Sequence, residues 1–291
     1  MITKDRNTLL VLGNGFDRSL NLETSYQEFL NSEEFQQAYI ESIKDHTTRN
    51  LFQFLKNRNQ LNNWVDVELD LKRFALELNA HEKADEYVAN NLKKDFNAIK
   101  AALSDYLKRV VGTFSGNFNN DFAKFYEKFC KDSIDVISFN YTNTFNSAIV
   151  QMGFDALDYK RVFNIHGTIE KNDIIFGIDE PESSIGDKIT FLEKSYHRNY
   201  NPQKAVALLH NANDLYFFGV SLGETDRHYF QTFFDYLLGD STKKNFWFSF
   251  YGDDGYSYLY NRLKHFSGHR THQLRSSHSI KFYNCIDCNY E

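Results

Sequence analysis

The amino-acid sequence predicts an α/β protein whose open, doubly wound and mostly parallel sheet carries an inserted helical subdomain. Short apolar runs of strand length occur at the start and in the second half of the chain, whereas the stretch between them repeats apolar side chains at helical spacing. Wholly apolar runs are typical of parallel strands that helices cover on both faces. We therefore predict one α/β domain over residues 1–291, with the helical insertion at roughly residues 30–128.

Six segments have the character of buried strands. The first is short, wholly apolar and bounded by Gly13, and the later segments share its hydrophobicity. The predicted strands are 8–12, 134–139, 161–165, 214–218, 245–250 and 279–283.

The helical insertion contains two long amphipathic patterns. Apolar residues recur every three or four positions over residues 64–78, and again over residues 88–110. Thr24 and Gln27 have the spacing of a capping box, which predicts a helix start soon after the first strand. The polar and basic segment 264–278 is expected to be a surface connection before the last strand.

Composition restricts the class of partner. The chain has a formal net charge of −6 at pH 7, so it lacks the broad positive field that gathers nucleic-acid backbones. Its three cysteines fit a reducing compartment better than a disulfide scaffold. No apolar run approaches the ~20 residues of a membrane span. We therefore expect a cytoplasmic protein with small-molecule partners and no membrane partner, and nucleic acid is disfavoured.

The segment GNGFD follows the first predicted strand and precedes a predicted helix. Gly13, Asn14 and Gly15 stand where backbone N–H groups and a helix N-terminus can hold a pyrophosphate. A dinucleotide fingerprint would have a third glycine where this chain has Arg18. The motif therefore indicates either a phosphate-binding turn, with Asp17 beside it, or a tight turn without a ligand.

Two polar side chains follow the second and third strands. Asn140, in SFNYTNTF, can orient a sugar hydroxyl or a water, or it can satisfy the backbone of a turn. His166, in NIHGTIE, is followed by Gly167, which allows close approach of a ligand. Because the carboxyl ends of parallel strands meet at one edge of a sheet, we expect both side chains and the glycine turn to share one crevice. This convergence favours His166 as a general base over a structural histidine.

The segment GVSLGETD repeats the pattern after the fourth strand. Gly219 permits close approach, and Ser221 can bind a phosphate or a ribose. The alternative is an ordinary strand-to-helix turn that Thr225 or Asp226 caps.

Glu68 is an acid on the apolar stripe of the 64–78 helix, since it lies four residues after Trp64 and three before Leu71. Burying a carboxylate without a partner is costly. We therefore expect either electrostatic support of the functional site or a salt bridge to a lysine or arginine.

No metal site is predicted. His265, His269 and His272 have helical spacing, but a glycine interrupts them and no carboxylate or cysteine lies nearby in the sequence. Cys285 and Cys288 lack the second pair that a structural zinc site needs.

Five motifs together resemble the AbiH family of bacteriophage abortive-infection proteins. In chain order they are VLGNGFDRSLNLETSYQEFL, NWVDVE, ISFNYTNTF, IHGTIEKNDIIFGID and GVSLGETDRHYF. That family is similar to the SIR2-like, sirtuin-related proteins, so the resemblance implies a Rossmann-like (SIR2-like) sheet. GNG then stands at the sirtuin Gly-Ala-Gly turn, Asn140 at the asparagine of Gln-Asn-Ile-Asp, His166 and Gly167 at the catalytic His-Gly, and GVSL at Gly-Thr-Ser.

The sequence departs from sirtuins at informative positions. Phe139 replaces the glutamine before Asn140, Thr142 replaces the aspartate after it, and the four-cysteine zinc module has no counterpart. The resemblance therefore implies NAD hydrolysis, as in SIR2-like defence effectors, rather than protein deacylation. Ser221 and Asp226 would then border the ribose or the second phosphate.

The implied function is that of an antiphage abortive-infection effector, an NAD glycohydrolase that releases nicotinamide. Asn140 and His166 would be catalytic, Asp17 or Glu68 would supply electrostatic support, and NAD would be the substrate without a further cofactor. The expected partners are NAD or a related nucleotide, a phage-derived trigger and further copies of the chain in a homo-oligomer. Two alternatives stay open: a non-catalytic nucleotide sensor that signals to a partner, and a toxin that acts on nucleic acid.

Overall fold

The structure of the chain is a computed structural model. Trp64, at the start of the predicted 64–78 helix, and Cys130 lie outside the residues that it describes. The described residues are 7–46, 50–61, 66–81, 85–116, 121–129, 134–154, 159–179, 185–240 and 242–290.

These residues form two units. The first comprises Met1–Leu22, Phe114–His166 and Asn201–Glu291 and contains the sheet, and the second comprises Glu23–Thr113 and Gly167–Tyr200 and is helical. The assignment of one domain and the boundaries of the helical insertion stay predictions.

One sheet organises the first unit, and its strands in the described residues are β1 (Thr8–Leu12), β2 (Ile134–Ser138), β3 (Tyr159–Asn164), β4 (Asp214–Phe218), β5 (Asn245–Phe250), β6 (Ser279–Asn284) and β7 (Asn289–Tyr290). Their order is β3-β2-β1-β4-β5-β6-β7. Strands β1 to β6 are parallel, and the two-residue β7 runs antiparallel to β6. The predicted α/β class with a parallel sheet is therefore confirmed.

The strand boundaries follow the apolar runs of the sequence closely. Strands β1, β4 and β5 begin and end where they are predicted, and β2, β3 and β6 differ by at most two residues at an end. Strand β7 is not predicted, because two residues are too few to show a strand period.

Helices accompany the sheet in the first unit and form most of the second. The helices of the first unit are α1 (Asn14–Ser19), α7 (Asp121–Phe129), α8 (Thr144–Gln151), α9 (Pro202–Asn211), α10 (Arg227–Gly239), α11 (Gly252–Phe266) and α12 (Thr271–Ser277). Those of the second unit are α2 (Tyr26–Leu30), α3 (Glu33–Asp45), α4 (Leu51–Leu61), α5 (Val67–His81) and α6 (Glu86–Gly112). No helix in the described ranges combines the length and the hydropathy that crossing a bilayer requires.

Helices cover both faces of the sheet. Phe217 and Phe218 are consecutive residues of β4, so their side chains point to opposite faces. The ring of Phe218 lies 4.9 Å from that of Phe122 on α7, and the ring of Phe217 lies 6.4 Å from that of Phe230 on α10. The sheet is therefore doubly wound, as the continuous apolar runs predict.

Two local predictions are wrong. The capping box consists of Ser25 and Glu28, one residue after the predicted pair: Glu28 N donates to Ser25 Oγ at 3.3 Å and Ser25 N donates to Glu28 Oε2 at 2.8 Å. The segment 264–278, predicted to be a surface connection, contains the end of α11 and the whole of α12. Its single buried apolar residue within α12, Leu274, is too little for a visible helical period.

An aromatic core holds the second unit together. Phe96 on α6 stacks on Phe176 with ring centroids 5.5 Å apart, and Phe29 on α2 lies 5.7 Å from Tyr106 on α6. Both α6 residues are almost fully buried; the three-and-four spacing of the 88–110 pattern predicts this for Phe96, whereas Tyr106 is not part of that pattern.

The chain adds strands to the sheet in opposite directions on the two sides of the β1–β4 pair. The connections leaving β1 lead towards β2 and β3 on one side, and those leaving β4 lead towards β5 and β6 on the other. In open α/β sheets such a switch point opens a crevice outside the carboxyl ends of the strands, where ligands bind. The residues that follow β1, β2, β3 and β4 are therefore the candidates for a ligand-binding site.

Candidate functional site

The turn after β1 packs directly on the turn after β4. A Cβ atom on Gly13 would lie 2.5 Å from the oxygen of Gly219, and one on Gly15 would lie 2.5 Å from the Cα of Gly219. Gly219 itself has φ +65°, a conformation that favours glycine, and a Cβ there would lie 2.5 Å from the Cα of Gly15. Three glycines are therefore needed for these backbones to approach.

Where the two turns pack together, two amides of the turn after β1 donate hydrogen bonds to the β4 segment. Gly13 N donates to Phe218 O at 3.1 Å, and Gly15 N donates to Gly219 O at 3.0 Å. A pyrophosphate could accept from these two amides only if both bonds to the β4 segment broke. Pyrophosphate binding by Gly13, Asn14 and Gly15 therefore stays a prediction, while close packing already explains both glycines.

Asp17 connects the ends of β1 and β2. Its carboxylate is buried and accepts hydrogen bonds from Thr142 Oγ1 at 2.6 Å and Thr144 Oγ1 at 2.5 Å. Both threonines follow β2, so Asp17 links the segments that follow β1 and β2.

Asn140 also joins these two strand ends. Its Nδ2 donates to the carbonyl oxygen of Gly13 at 3.1 Å, and its backbone N donates to Ser138 Oγ at 3.2 Å. The side chain is buried. Asn140 thus holds the glycine turn in place, which agrees with the structural alternative and leaves its catalytic role a prediction.

His166 follows β3 and is paired with an acid from the fourth strand end. Its Nε2 lies 3.6 Å from Asp226 Oδ1, with the His166 side chain 6% exposed and that of Asp226 21% exposed. Three rings surround the imidazole, with centroids 5.7 Å away for Phe139, 5.9 Å for Tyr141 and 6.3 Å for Tyr229. The structure therefore brings together two predicted residues from different strand ends in an apolar setting.

This geometry suits acid–base chemistry. A carboxylate beside one imidazole nitrogen stabilises the imidazolium and fixes which nitrogen carries the proton in the neutral ring. A separation of 3.6 Å is longer than an ordinary hydrogen bond, and catalytic pairs commonly tighten when substrate binds.

Sequence reasoning did not identify the rings around His166 or the pairing of Asp226 with it. Tyr141 lies next to Asn140 in a motif that the sequence already singles out, so its position was a usable signal. Tyr229 lies within the motif GVSLGETDRHYF, but its contact with His166 from α10 depends on how that helix packs. The prediction that Asp226 borders a ribose or phosphate does not include this pairing, because the neighbours of Asp226 depend on the conformation of its loop.

Ser221 is exposed on the loop that joins β4 to α10. Gly219 N, at the start of this loop, donates to Ser249 Oγ at 3.2 Å, and Asp226 ends it. The loop therefore places Ser221 at the carboxyl edge of the sheet, where its proposed contact with a phosphate or ribose stays a prediction.

Glu68 lies in the second unit and has a cationic partner. Lys194 Nζ is 2.9 Å from Glu68 Oε2 and 3.6 Å from Asp179 Oδ1, and the Lys194 side chain is 1% exposed. Burial raises the pKa of nearby Asp66, although the Lys194 ammonium opposes this effect. The salt-bridge alternative thus accounts for the burial of Glu68, and electrostatic support of catalysis stays a prediction.

The histidine and cysteine motifs do not assemble in the described residues. His265 belongs to α11 and His272 to α12, with a turn between them. Burial raises the pKa of the Cys285 thiol to about 12, which disfavours the thiolate that binds metals. Across the part of the chain that the structure describes, no three His, Cys, Asp or Glu side chains are grouped as metal ligands.

Comparison with known proteins gives one family. No curated protein matches the chain. The sequence profile of the family described as "Bacteriophage abortive infection AbiH" matches residues 9–249, which span the sheet from β1 into β5 and include the described turns at all four strand ends. The chain therefore belongs to the bacteriophage abortive infection AbiH family.

Proposed function

We propose that this chain acts in phage defence by hydrolysing NAD in the cytoplasm and releasing nicotinamide, on a SIR2-like form of the α/β fold. The role in abortive infection follows from membership of the AbiH family. One observation carries the chemical part of the proposal: His166 Nε2 lies 3.6 Å from Asp226 Oδ1 at the carboxyl edge of the sheet, beside the switch point. A buried imidazole with an acidic partner at that edge is suited to be a general base.

In the proposed reaction, water adds to the anomeric carbon of the nicotinamide ribose. The N-glycosidic bond breaks, its electron pair leaves with nicotinamide, and the proton lost by the water passes to His166. Asp226 holds the proton of Nε2, so Nδ1 carries the lone pair that accepts the new proton. The products are nicotinamide, ADP-ribose and one proton.

The remaining side chains position the reacting groups. The transition state carries positive charge on the ribose, and buried carboxylates near such a charge stabilise it. Asp17 is the candidate in the first unit, held by Thr142 and Thr144. Asn140 keeps the glycine turn fixed through its bond to Gly13 O, and this preorganises the same edge.

The test is product analysis with purified protein. Wild type is incubated with NAD alone and with lysate of phage-infected cells, and nicotinamide and ADP-ribose are separated by chromatography. The proposal expects equal amounts of both products from wild type and product formation at least about 10²-fold slower from His166→Gln. Intact NAD in both incubations, with the protein folded by circular dichroism, would rule out hydrolysis.

A specific observation favours a second candidate, a nucleotide sensor without turnover. Asn140 Nδ2 and the amides of Gly13 and Gly15 all donate to backbone carbonyls of the first unit. Groups fixed in this way support the shape of a pocket but are not poised to act on a substrate. Calorimetry that detects binding of NAD or ADP-ribose, combined with intact NAD after long incubation, would select the sensor.

A further inference from the structure

The loop after β4 is fixed by an arginine from another helix. Arg262 on α11 donates from Nε to the carbonyl oxygen of Leu222 at 2.7 Å, and one of its terminal nitrogens lies 3.1 Å from Glu224 Oε2. Leu222 has φ +50°, a left-handed conformation that is rare for a bulky residue, and its side chain is buried. Arg262 therefore maintains a strained backbone, a feature that accompanies ligand-binding segments.

A second arginine completes a clamp around the same carboxylate. Arg227, the first residue of α10, lies 3.1 Å from Glu224 Oε1, while Arg262 holds Oε2. The Glu224 side chain is 38% exposed, so solvent reaches the clamp. Burial alone would raise the pKa of Glu224, but the hydrogen bonds and charges of the two arginines outweigh it and lower that pKa.

Most N–H groups of the two guanidiniums donate no hydrogen bond to the residues that the structure describes. Each guanidinium carries several N–H groups in a planar fork that matches phosphate oxygens. Arg262 donates to Leu222 and Glu224 and lies over the ring of Phe266, and Arg227 donates to Glu224. Within the described residues neither side chain makes another hydrogen bond. Two positive charges therefore face the single carboxylate of Glu224.

We propose that Arg227 and Arg262 form the phosphate-binding site of this protein and that Glu224 occupies it in place of a ligand phosphate. The ligand class is a pyrophosphate group, carried by a nucleotide such as ADP-ribose or NAD. This assignment deepens the proposed function and rests on it for the identity of the nucleotide. Binding replaces the Glu224 carboxylate by phosphate oxygens and involves no covalent change.

Two features of the first unit agree with this location. Asp226, the partner of His166, lies two residues after Glu224 on the same loop. The amides of Gly13 and Gly15, which a phosphate would otherwise use, donate to the β4 segment. The arginine clamp thus supplies the positive charge that the glycine turn does not offer.

The test measures binding of ADP-ribose and of inorganic pyrophosphate by calorimetry to wild type and variants. Arg227→Gln should weaken ADP-ribose binding about tenfold or more, because hydrogen bonds to charged groups contribute about 1.5–3 kcal/mol. Glu224→Gln removes the competing carboxylate and should tighten binding several-fold. Arg161→Gln is the matched control, since Arg161 also pairs with a carboxylate, Asp135 at 3.1 Å, in the same unit, and it should leave the affinity unchanged.

Arg262→Gln is a less direct variant, because it also removes the bond to Leu222 O, so thermal unfolding is recorded for every protein. Unchanged affinity in a folded Arg227→Gln, or weaker binding to Glu224→Gln, would overturn the proposal. Pyrophosphate that binds as tightly as ADP-ribose would overturn the nucleotide assignment. If ADP-ribose binds with the expected variant pattern while NAD stays intact, the clamp stands and hydrolysis alone fails.

Discussion

Each unit pairs a carboxylate with a buried basic side chain, and the two arrangements differ in distance and surroundings. In the second unit, Lys194 Nζ is 2.9 Å from Glu68 Oε2, and Lys194 N donates to Ile178 O at 2.8 Å, so both the ammonium and its backbone are fixed. In the first unit, His166 Nε2 is 3.6 Å from Asp226 Oδ1 within a ring of aromatic side chains, and Asp226 is partly exposed.

Burial of an acid, as at Glu68, therefore does not by itself indicate catalysis. A close ion pair with a fixed backbone costs desolvation and is rigid, which is typical of a structural role. A longer pair, placed where parallel strands end and with one member partly exposed, is better suited to a functional role. We therefore expect His166 variants to change activity and Lys194 variants to change stability.

The largest expected effect is on activity. His166→Gln keeps a polar side chain of similar size but removes the base, so the rate of NAD hydrolysis should fall about 10²–10⁴-fold. The rate is measured as nicotinamide release. His210→Gln is the matched control, because His210 lies in the last turn of α9, which precedes the amino end of β4 at the opposite edge of the sheet. Equal loss in both variants would contradict a specific role of His166.

The next effect is on stability in the second unit. Lys194→Met removes the ammonium from the buried Glu68 carboxylate, and the free energy of unfolding should fall by about 3–5 kcal/mol. Chemical denaturation followed by circular dichroism measures this change. Lys44→Met removes an exposed pair, 2.7 Å from Glu41, and should cost under about 1 kcal/mol.

The double variant Lys194→Met with Glu68→Leu shows whether the loss of stability comes from an uncompensated charge or from lost packing. If the loss comes from an uncompensated charge, removing the carboxylate as well should restore part of the stability. A double variant that loses the sum of both single effects would show that packing, and not charge, dominates at Lys194.

A third effect separates packing from ligand binding at the strand ends. Gly219→Ala should lower the free energy of unfolding by about 1–3 kcal/mol, because its left-handed backbone and its contacts with Gly15 do not accommodate a Cβ. Gly239→Ala, where a Cβ would meet no atom within 4 Å, is the control and should be neutral or slightly stabilising. If Gly219→Ala unfolds no more easily than Gly239→Ala, the close approach of the turns is wrong.

The smallest effect is the pH dependence of the Glu224 clamp. The folded-state pKa of Glu224 is lowered, so its ion pairs stabilise the fold above the unfolded pKa, and this contribution disappears as the pH falls through the folded pKa. Glu224→Gln should therefore cost under about 1 kcal/mol near pH 7 and less near pH 3, below the ordinary pKa of glutamate, after allowance for solvent screening. A loss of equal size at both pH values would point to packing.

Much of the fold follows from the sequence because the strands are rich in apolar residues, and β1 and β4 are each followed directly by a glycine. The runs at 8–12 and 214–218 need no tertiary information, whereas β7 is too short for any period. The capping box fails by one residue, since Thr24 with Gln27 and Ser25 with Glu28 both fit the pattern and only the backbone path decides.

The sequence predicts which strand end each candidate site residue follows, but not which side chains pair with each other there. The rule that carboxyl ends of parallel strands share an edge places Asn140 and His166 correctly after β2 and β3. The pairing of His166 with Asp226 depends on a loop that includes Leu222 at φ +50°, which no residue pattern encodes. The Glu68 partner likewise comes from a distant part of the chain.

The most direct measurement of the central claim is nucleotide profiling of bacteria that express wild type or His166→Gln, with and without phage. We predict that NAD falls while nicotinamide and ADP-ribose rise only in infected cells with wild type, and that His166→Gln cells keep their NAD and lose protection. Protection by wild type with NAD unchanged, or equal NAD loss in both strains, would contradict the account.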